Sequence, residues 1–208
     1  GPGEDPILAR LMTKLTSTAK NLGIPKPFYI YVPRHKNNFS NAQKVLESSG
    51  LNFVKRSQIL DPHLALKNLF KMQFSELDGL IGDSLGEINF YFCIANYVFI
   101  GNSFNNLGSH NVIEPLALRK PVVVGPSIWG IEYPVIEALE AGVIKKVETI
   151  EEFYEYWLGQ LVCSQKDFVE QSQRKEFYSL HSGAVRRCIE KLETYGYLPN
   201  RIKENLKA

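Results

Sequence analysis

Apolar positions along the chain switch between two periods. From Pro6 to Leu22 they fall at Ile7, Leu8, Leu11, Leu15, Ala19 and Leu22, a helical spacing closed by Gly23 and Pro25. Phe28-Tyr29-Ile30-Tyr31-Val32 is a continuous aromatic and β-branched run stopped by Pro33, which predicts a strand. Asn41 to Ser49 fits a helix with Ser40 as N-cap and Gly50 as its terminating glycine. A short strand fits Asn52 to Arg56, residues 57 to 76 show neither period, and another strand lies within Asp78 to Gly82. Glu87 to Asn96 is mostly apolar and is expected to be a buried helix. Val98-Phe99-Ile100 and Val122-Val123-Val124 are buried-strand runs on either side of a helix that starts at Glu114. Ile136 to Ala141 is a helix ended by Gly142, and Val143 to Val147 a strand. Thr149 with Glu152 three residues on forms a capping box for the next helix. The chain from Lys166 to about Leu192 predicts one charged helix, and Tyr195 to Ala208 a basic tail.

Strands therefore alternate with helices. That pattern predicts an α/β fold: a Rossmann-like parallel sheet of five or six strands, with helices on both faces. The 208 residues suit one domain with a sizeable core. Gly1-Pro2-Gly3 resembles the remnant of a cleaved tag and is left out of the fold. No internal repeat, GxGxxG or Walker lysine motif is present, so dinucleotide and P-loop readings have no support.

In a parallel sheet all strand carboxyl ends share one edge, and ligands bind there. Three such ends carry unusual residues. Pro33-Arg34-His35 follows the first strand, Gly82-Asp83-Ser84-Leu85-Gly86-Glu87 follows the strand at Leu80-Ile81, and Gly108 to Glu114 follows Val98-Phe99-Ile100. Arg34 suits a phosphate or the face of a base. Gly86 lets backbone approach a ring and tolerates positive φ. Ser109, His110 and Asn111, with the free N–H groups of a helix start, suit phosphate oxygens, and Glu114 suits the paired hydroxyls of a ribose. Each residue also has a plain structural reading. Arg34 taken alone reads as a solvated arginine and His35 as a turn residue. His110 fits a helix cap, Asp83 a cap for the helix at residue 87, and Glu87 or Glu114 a first-turn acid. Convergence on one edge favours a ligand.

Composition narrows the classes. Hydrophobic content of 44% and charged content of 22% are those of an ordinary globular protein. A net charge of +2 without a concentrated basic patch gives no nucleic-acid footprint. Cys93, Cys163 and Cys188 are far apart with no ligand spacing, which predicts no structural zinc and a reducing compartment. Cys93 lies in an apolar run and is expected to be buried. No signal peptide or bilayer-length apolar run is seen, so the chain is expected to be soluble.

Gly82-Asp83-Ser84-Leu85-Gly86-Glu87, Gly108-Ser109-His110-Asn111-Val112-Ile113-Glu114-Pro115, Lys120-Pro121-Val122 through Gly125-Pro126, and Val32-Pro33-Arg34-His35 together resemble the Kdo (3-deoxy-D-manno-octulosonic acid) transferases of lipopolysaccharide synthesis. These are two-domain glycosyltransferases of the GT-B fold. The resemblance runs from about residue 30 to residue 150 and is to the carboxyl-terminal, donor-binding half. The chain departs from it at Gly101-Asn102, where the family tends to have Gly-Gly, and at Gly108-Ser109, where it has a second Gly-Gly.

The resemblance implies metal-independent, inverting transfer of Kdo from CMP-Kdo to a lipid A precursor, with CMP as product and no cofactor. It implies a nucleotide site made by Pro33, Arg34, His35, Gly82, Leu85, Gly86, Glu87, Ser109, His110, Asn111 and Glu114. The acceptor site and general base would belong to an amino-terminal domain missing from these residues, so no catalytic residue is assigned here. The full-length enzyme would act at the cytoplasmic face of the bacterial inner membrane. Two alternatives stay open at this point: a GT-B domain using a UDP- or GDP-sugar, and a non-catalytic nucleotide-binding regulatory domain.

Overall fold

A computed structural model describes residues 3–67, 73–105, 107–162 and 167–197. In chain order the elements are α1 (Asp5–Leu22), β1 (Tyr29–Tyr31), α2 (Phe39–Ser48), β2 (Phe53–Lys55), α3 (Arg56–Ile59), β3 (Gly79–Ile81), α4 (Ile88–Ile94), β4 (Val98–Ile100), α5 (Ile113–Ala117), β5 (Val122–Val124), α6 (Glu132–Glu140), β6 (Ile144–Lys146), α7 (Ile150–Val162), α8 (Asp167–His181) and α9 (Ala184–Thr194). The fold is α/β, and every strand pair is parallel.

The strands form two three-stranded sheets, ordered β2-β3-β1 and β4-β5-β6, rather than one ladder. Alternation along each strand places helices on both faces. On β5, Val123 joins the core of α1 and α7, while Val122 and Val124 join that of α5 and α6. On β3, Ile81 faces the α1–α7 layer and Leu80 the side of α4. The core around α1, α7, Tyr29, Ile81, Phe99 and Val123 draws on both sheets and fastens them to one layer. Gly79 in β3 leaves no room for a side chain: a Cβ there would stand 2.3 Å from the Tyr29 carbonyl oxygen.

Several boundaries differ from expectation for local reasons. Helix α1 ends at Gly23, whose φ of +66° lets its N–H close on the last carbonyls. Helix α2 starts at Phe39 after Asn38, so Ser40 lies inside it and is not the cap. Thr149 does cap α7, accepting Glu152 N–H at 3.1 Å, but the Glu152 carboxylate reaches past it to Glu148 N–H at 2.8 Å. The single charged helix expected from Lys166 is two, α8 and α9, parted at Gly183 with φ of +77°. Residues 198–208 of the basic tail, and Cys163, lie outside the described residues. Helix α4 turns only Tyr91 fully into the core, and Cys93 is exposed, correcting the expectation for both. Its apolar run is wider than the face that packs; Cys93 stands two residues, some 200°, around from Tyr91.

Candidate functional site

Strands β1 and β4 are the facing edges of the two sheets, and residues of both line one cleft of about 1720 Å³. The strand order reverses there, since β1 leads back to β3 and β2 while β4 leads on to β5 and β6. An open α/β sheet binds ligands at that switch point, outside the carboxyl ends.

The three loops singled out in the sequence all border this cleft. Pro33, Arg34, His35, Leu85, Gly86, Glu87, Ser109, His110, Asn111 and Glu114 all line it. Gly82 does not: its N–H donates to the Tyr31 carbonyl at 2.8 Å, and the Tyr91 ring covers it. Arg34 and His110 touch directly, with Arg34 Nη1 3.2 Å from His110 Nδ1. A guanidinium only donates, so this contact makes Nδ1 an acceptor and places the imidazole proton on Nε2. Burial, then the neighbouring Arg34 and His35, pulls the His110 pKa down to about 4. The histidine is therefore neutral at pH 7, and the exposed Arg34 is the fixed positive charge at the mouth.

The 82–87 loop is held from beneath. Arg56, 6% exposed, donates from Nη2 to Glu87 Oε1 at 2.6 Å and from Nη1 to the Leu60 carbonyl. Ser84 Oγ donates to the other Glu87 oxygen and bonds the Tyr91 hydroxyl at 2.8 Å. Glu87 thus anchors the loop while lining the cleft. Asp83 accepts Ser57 N–H at 2.8 Å and the Ser57 hydroxyl; it ties β3 to α3 and does not cap α4. With both acids engaged, Leu85 and Gly86 project at the tip, and Gly86 takes φ of +80° with open space where a Cβ would be. Backbone is there bare to a planar ligand.

The 108–114 loop is stapled to the loop after β5. Ser109 N–H donates to the Trp129 carbonyl at 3.0 Å and Ser109 Oγ to the Ser127 carbonyl at 2.7 Å. Ser109 is buried, and its hydroxyl shapes the loop. Asn111 Oδ1 accepts Ile113 N–H at 2.8 Å, so Asn111, not His110, turns the chain into α5. Glu114 stands exposed in the first turn of that helix, and nothing in the loop's bonding uses its carboxylate to shape the turn.

Sequence reasoning missed the supports. Arg56 lay in a stretch without a periodic pattern. Glu4 and Asp5 follow Gly1-Pro2-Gly3 and belong to no motif, yet Glu4 is 1% exposed and Asp5 accepts the Tyr31 hydroxyl. Burial pushes the Tyr31 pKa far up and keeps that hydroxyl a donor. Ser103 joins the strand ends, donating to the Ile100 carbonyl at 2.6 Å and accepting Gly125 N–H at 2.8 Å. Among the described residues, no three of His, Cys, Asp and Glu are grouped to hold a metal ion.

Comparison with known proteins adds to this geometry. The chain is 28% identical over 196 residues to the 3-deoxy-D-manno-octulosonic acid transferase of Bordetella pertussis, covering 93% of this chain and 42% of that protein. It is 29% identical over 123 residues to the enzyme of the same name from Haemophilus influenzae, covering 59% of this chain and 25% of that one. The chain is thus similar in sequence to Kdo transferases. It spans less than half the length of these relatives. The C-terminal CMP-Kdo binding domain of WaaA from Acinetobacter baumannii superposes with a TM-score of 0.69, covering 85% of this chain and 83% of that one at 24% identity. The fold is therefore that of this domain, a Rossmann-like α/β arrangement. No family model matches the chain. Among the described residues no helix is long and apolar enough to cross a membrane.

Proposed function

We propose that these residues form the donor half of an inverting, metal-independent Kdo transferase that binds CMP-Kdo and releases CMP. The observation that carries this reading is the Arg34–His110 contact in a cleft that the Leu85-Gly86 tip and Glu114 also line. In this reading the Arg34 fork takes a phosphate oxygen beside the start of α5, where the Ile113 N–H is already engaged by Asn111 Oδ1. Glu114 accepts the two ribose hydroxyls, and the cytosine lies against the bare backbone at Gly86. Positive charge fixed at the phosphate favours departure of CMP as charge develops on it. This needs neither cofactor nor metal. The acceptor lipid, a lipid A precursor, and the base that activates its hydroxyl belong to an amino-terminal domain of the full-length enzyme. That enzyme works at the cytoplasmic face of the bacterial inner membrane.

The relatives' names and the fold of the WaaA domain support the donor assignment. Thermal unfolding with CMP, UMP, UDP and GDP tests it, because a ligand that binds only the folded state raises the melting temperature. CMP is expected to give the largest shift. A melting curve unmoved by saturating CMP, with calorimetry equally silent, removes the reading; a larger shift with UDP or GDP reassigns the base.

A further inference from the structure

The chain before α1 delivers a buried carboxylate to the same cleft. Glu4 precedes α1 directly, but its side chain makes no capping bond to that helix. It reaches across to the loop after β4. There Glu4 Oε2 accepts Asn102 N–H at 2.6 Å and Oε1 accepts Phe104 N–H at 3.0 Å. The loop is shaped to aim both donors at one point. Asn102 takes φ of +63°, and Ser103, fully buried between them, is pinned to Ile100 and Gly125. Converging backbone N–H groups of this kind bind anions. One oxygen per N–H is the match expected for a planar carboxylate.

The position matters as much as the geometry. The donors follow β4 at the switch point, across from Arg34 after β1. A Cβ placed on Gly101 would be 3.3 Å from Glu4 Oε2 and 3.9 Å from His110 Cδ2, so the carboxylate and the Arg34–His110 pair are near neighbours. Glu4, Gly101 and Asn102 line the cleft with them. The stretch of cleft beyond the phosphate position therefore ends on an anion site that an internal carboxylate already fills.

We propose that the Asn102 and Phe104 N–H groups form the subsite for the carboxylate of an acidic-sugar nucleotide, and that Glu4 fills this subsite in its absence. This rests on the donor-binding reading above. Two carboxylates cannot share two N–H groups, so the sugar binds only when Glu4 swings out. Glu4 then acts as a built-in competitor that lowers affinity for the sugar nucleotide and leaves the nucleoside end alone. An apparent affinity scales with the fraction of molecules whose site is open.

Calorimetric titration of the 208-residue chain, in carboxylate-free buffer, with cytidine, CMP and CMP-Kdo tests this on wild type, Glu4→Gln and Glu4→Ala. Both substitutions are expected to tighten CMP-Kdo about tenfold, the gain when a site blocked nine times in ten is freed. Cytidine and CMP should be unchanged. In wild type, Asn102 and Phe104 amide resonances should move with CMP-Kdo and not with CMP, a readout that stands even if a variant fails to fold. An unchanged ratio of CMP to CMP-Kdo affinities, with those amides unmoved, overturns the subsite and leaves Glu4 as a structural staple. Equal tightening of CMP and CMP-Kdo overturns the carboxylate assignment in favour of the phosphate. Failure of the wild type to bind either ligand overturns the donor reading, and this inference with it.

Discussion

Arg34 and His110 are 76 residues apart in the chain and 3.2 Å apart in space, guanidinium to imidazole. A cation would ordinarily repel a histidine that can itself become one. Here the ring is held neutral and turns its lone pair to the cation, so the contact orients Arg34 without adding charge. It joins the loop after β1 to the loop after β4, and so bridges the two half-sheets at the mouth of the cleft.

That pair gives the protein an acid-sensitive element. The His110 pKa is lowered from 6.5 to about 4 in the folded chain. Between those values the unfolded chain binds a proton that the folded chain does not. Stability from this source is complete above pH 6.5 and is lost as pH falls toward 4. The melting temperature of wild type should fall relative to His110→Asn over this window. Parallel curves for the two proteins would remove the effect. The ring should carry its proton on Nε2 at pH 7 by nitrogen-15 NMR.

Arg34→Ala should separate phosphate contact from base contact. If the fork holds phosphate, affinity for CMP drops while that for cytidine holds, by about 1.5–3 kcal/mol for a bond to a charged group. Equal losses on both ligands, read by calorimetry, would place Arg34 on the base.

Glu114→Ala should weaken CMP binding by a similar amount, about 1.5–3 kcal/mol. The fold should persist, because an exposed first-turn acid adds only about 0.3–1 kcal/mol through the helix dipole. Normal CMP binding, or unfolding on chemical denaturation, would make Glu114 a structural cap.

Removing Arg56 should cost far more stability than removing Arg34. Arg56→Met strips the partner from Glu87, which is itself partly exposed, so the loss should be about 1–3 kcal/mol, the cost of leaving a desolvated polar group unpaired. The 82–87 loop should loosen and CMP affinity fall together. A urea midpoint unmoved from wild type would show that Ser84 and Tyr91 alone hold Glu87.

The chain by itself should transfer no sugar. Chemistry needs an acceptor hydroxyl held in line with a positioned base. Asp83 is spent on Ser57 and Glu87 on Arg56, which leaves neither carboxylate to serve. Any Kdo-modified lipid A precursor above a no-protein control, by mass spectrometry, would place both acceptor site and base within these residues.

Local chemistry in the sequence determined the class of fold and the edge where the site lies. The aromatic and β-branched runs at Tyr29–Tyr31, Val98–Ile100 and Val122–Val124 are strands because such side chains suit a buried ladder, and Gly23, Pro33 and Thr149 mark ends through their own backbone preferences. The Gly-rich loops after β3 and β4 were legible for the same reason. What tertiary structure decided is which groups those loops spend on themselves. Glu87 looked like a ligand-facing acid until Arg56, from an unpatterned stretch, was brought beneath it. Glu4 carries no local signal, and only the fold sets it against Asn102 and Phe104. Gly82 looked open until Tyr91 covered it. The division of the strands into two halves, and the cleft between their edges, has no local signal either. A strand's residues announce that it will pair, while its neighbour is chosen by helices packing from distant parts of the chain, here α1 and α7 laid across both halves.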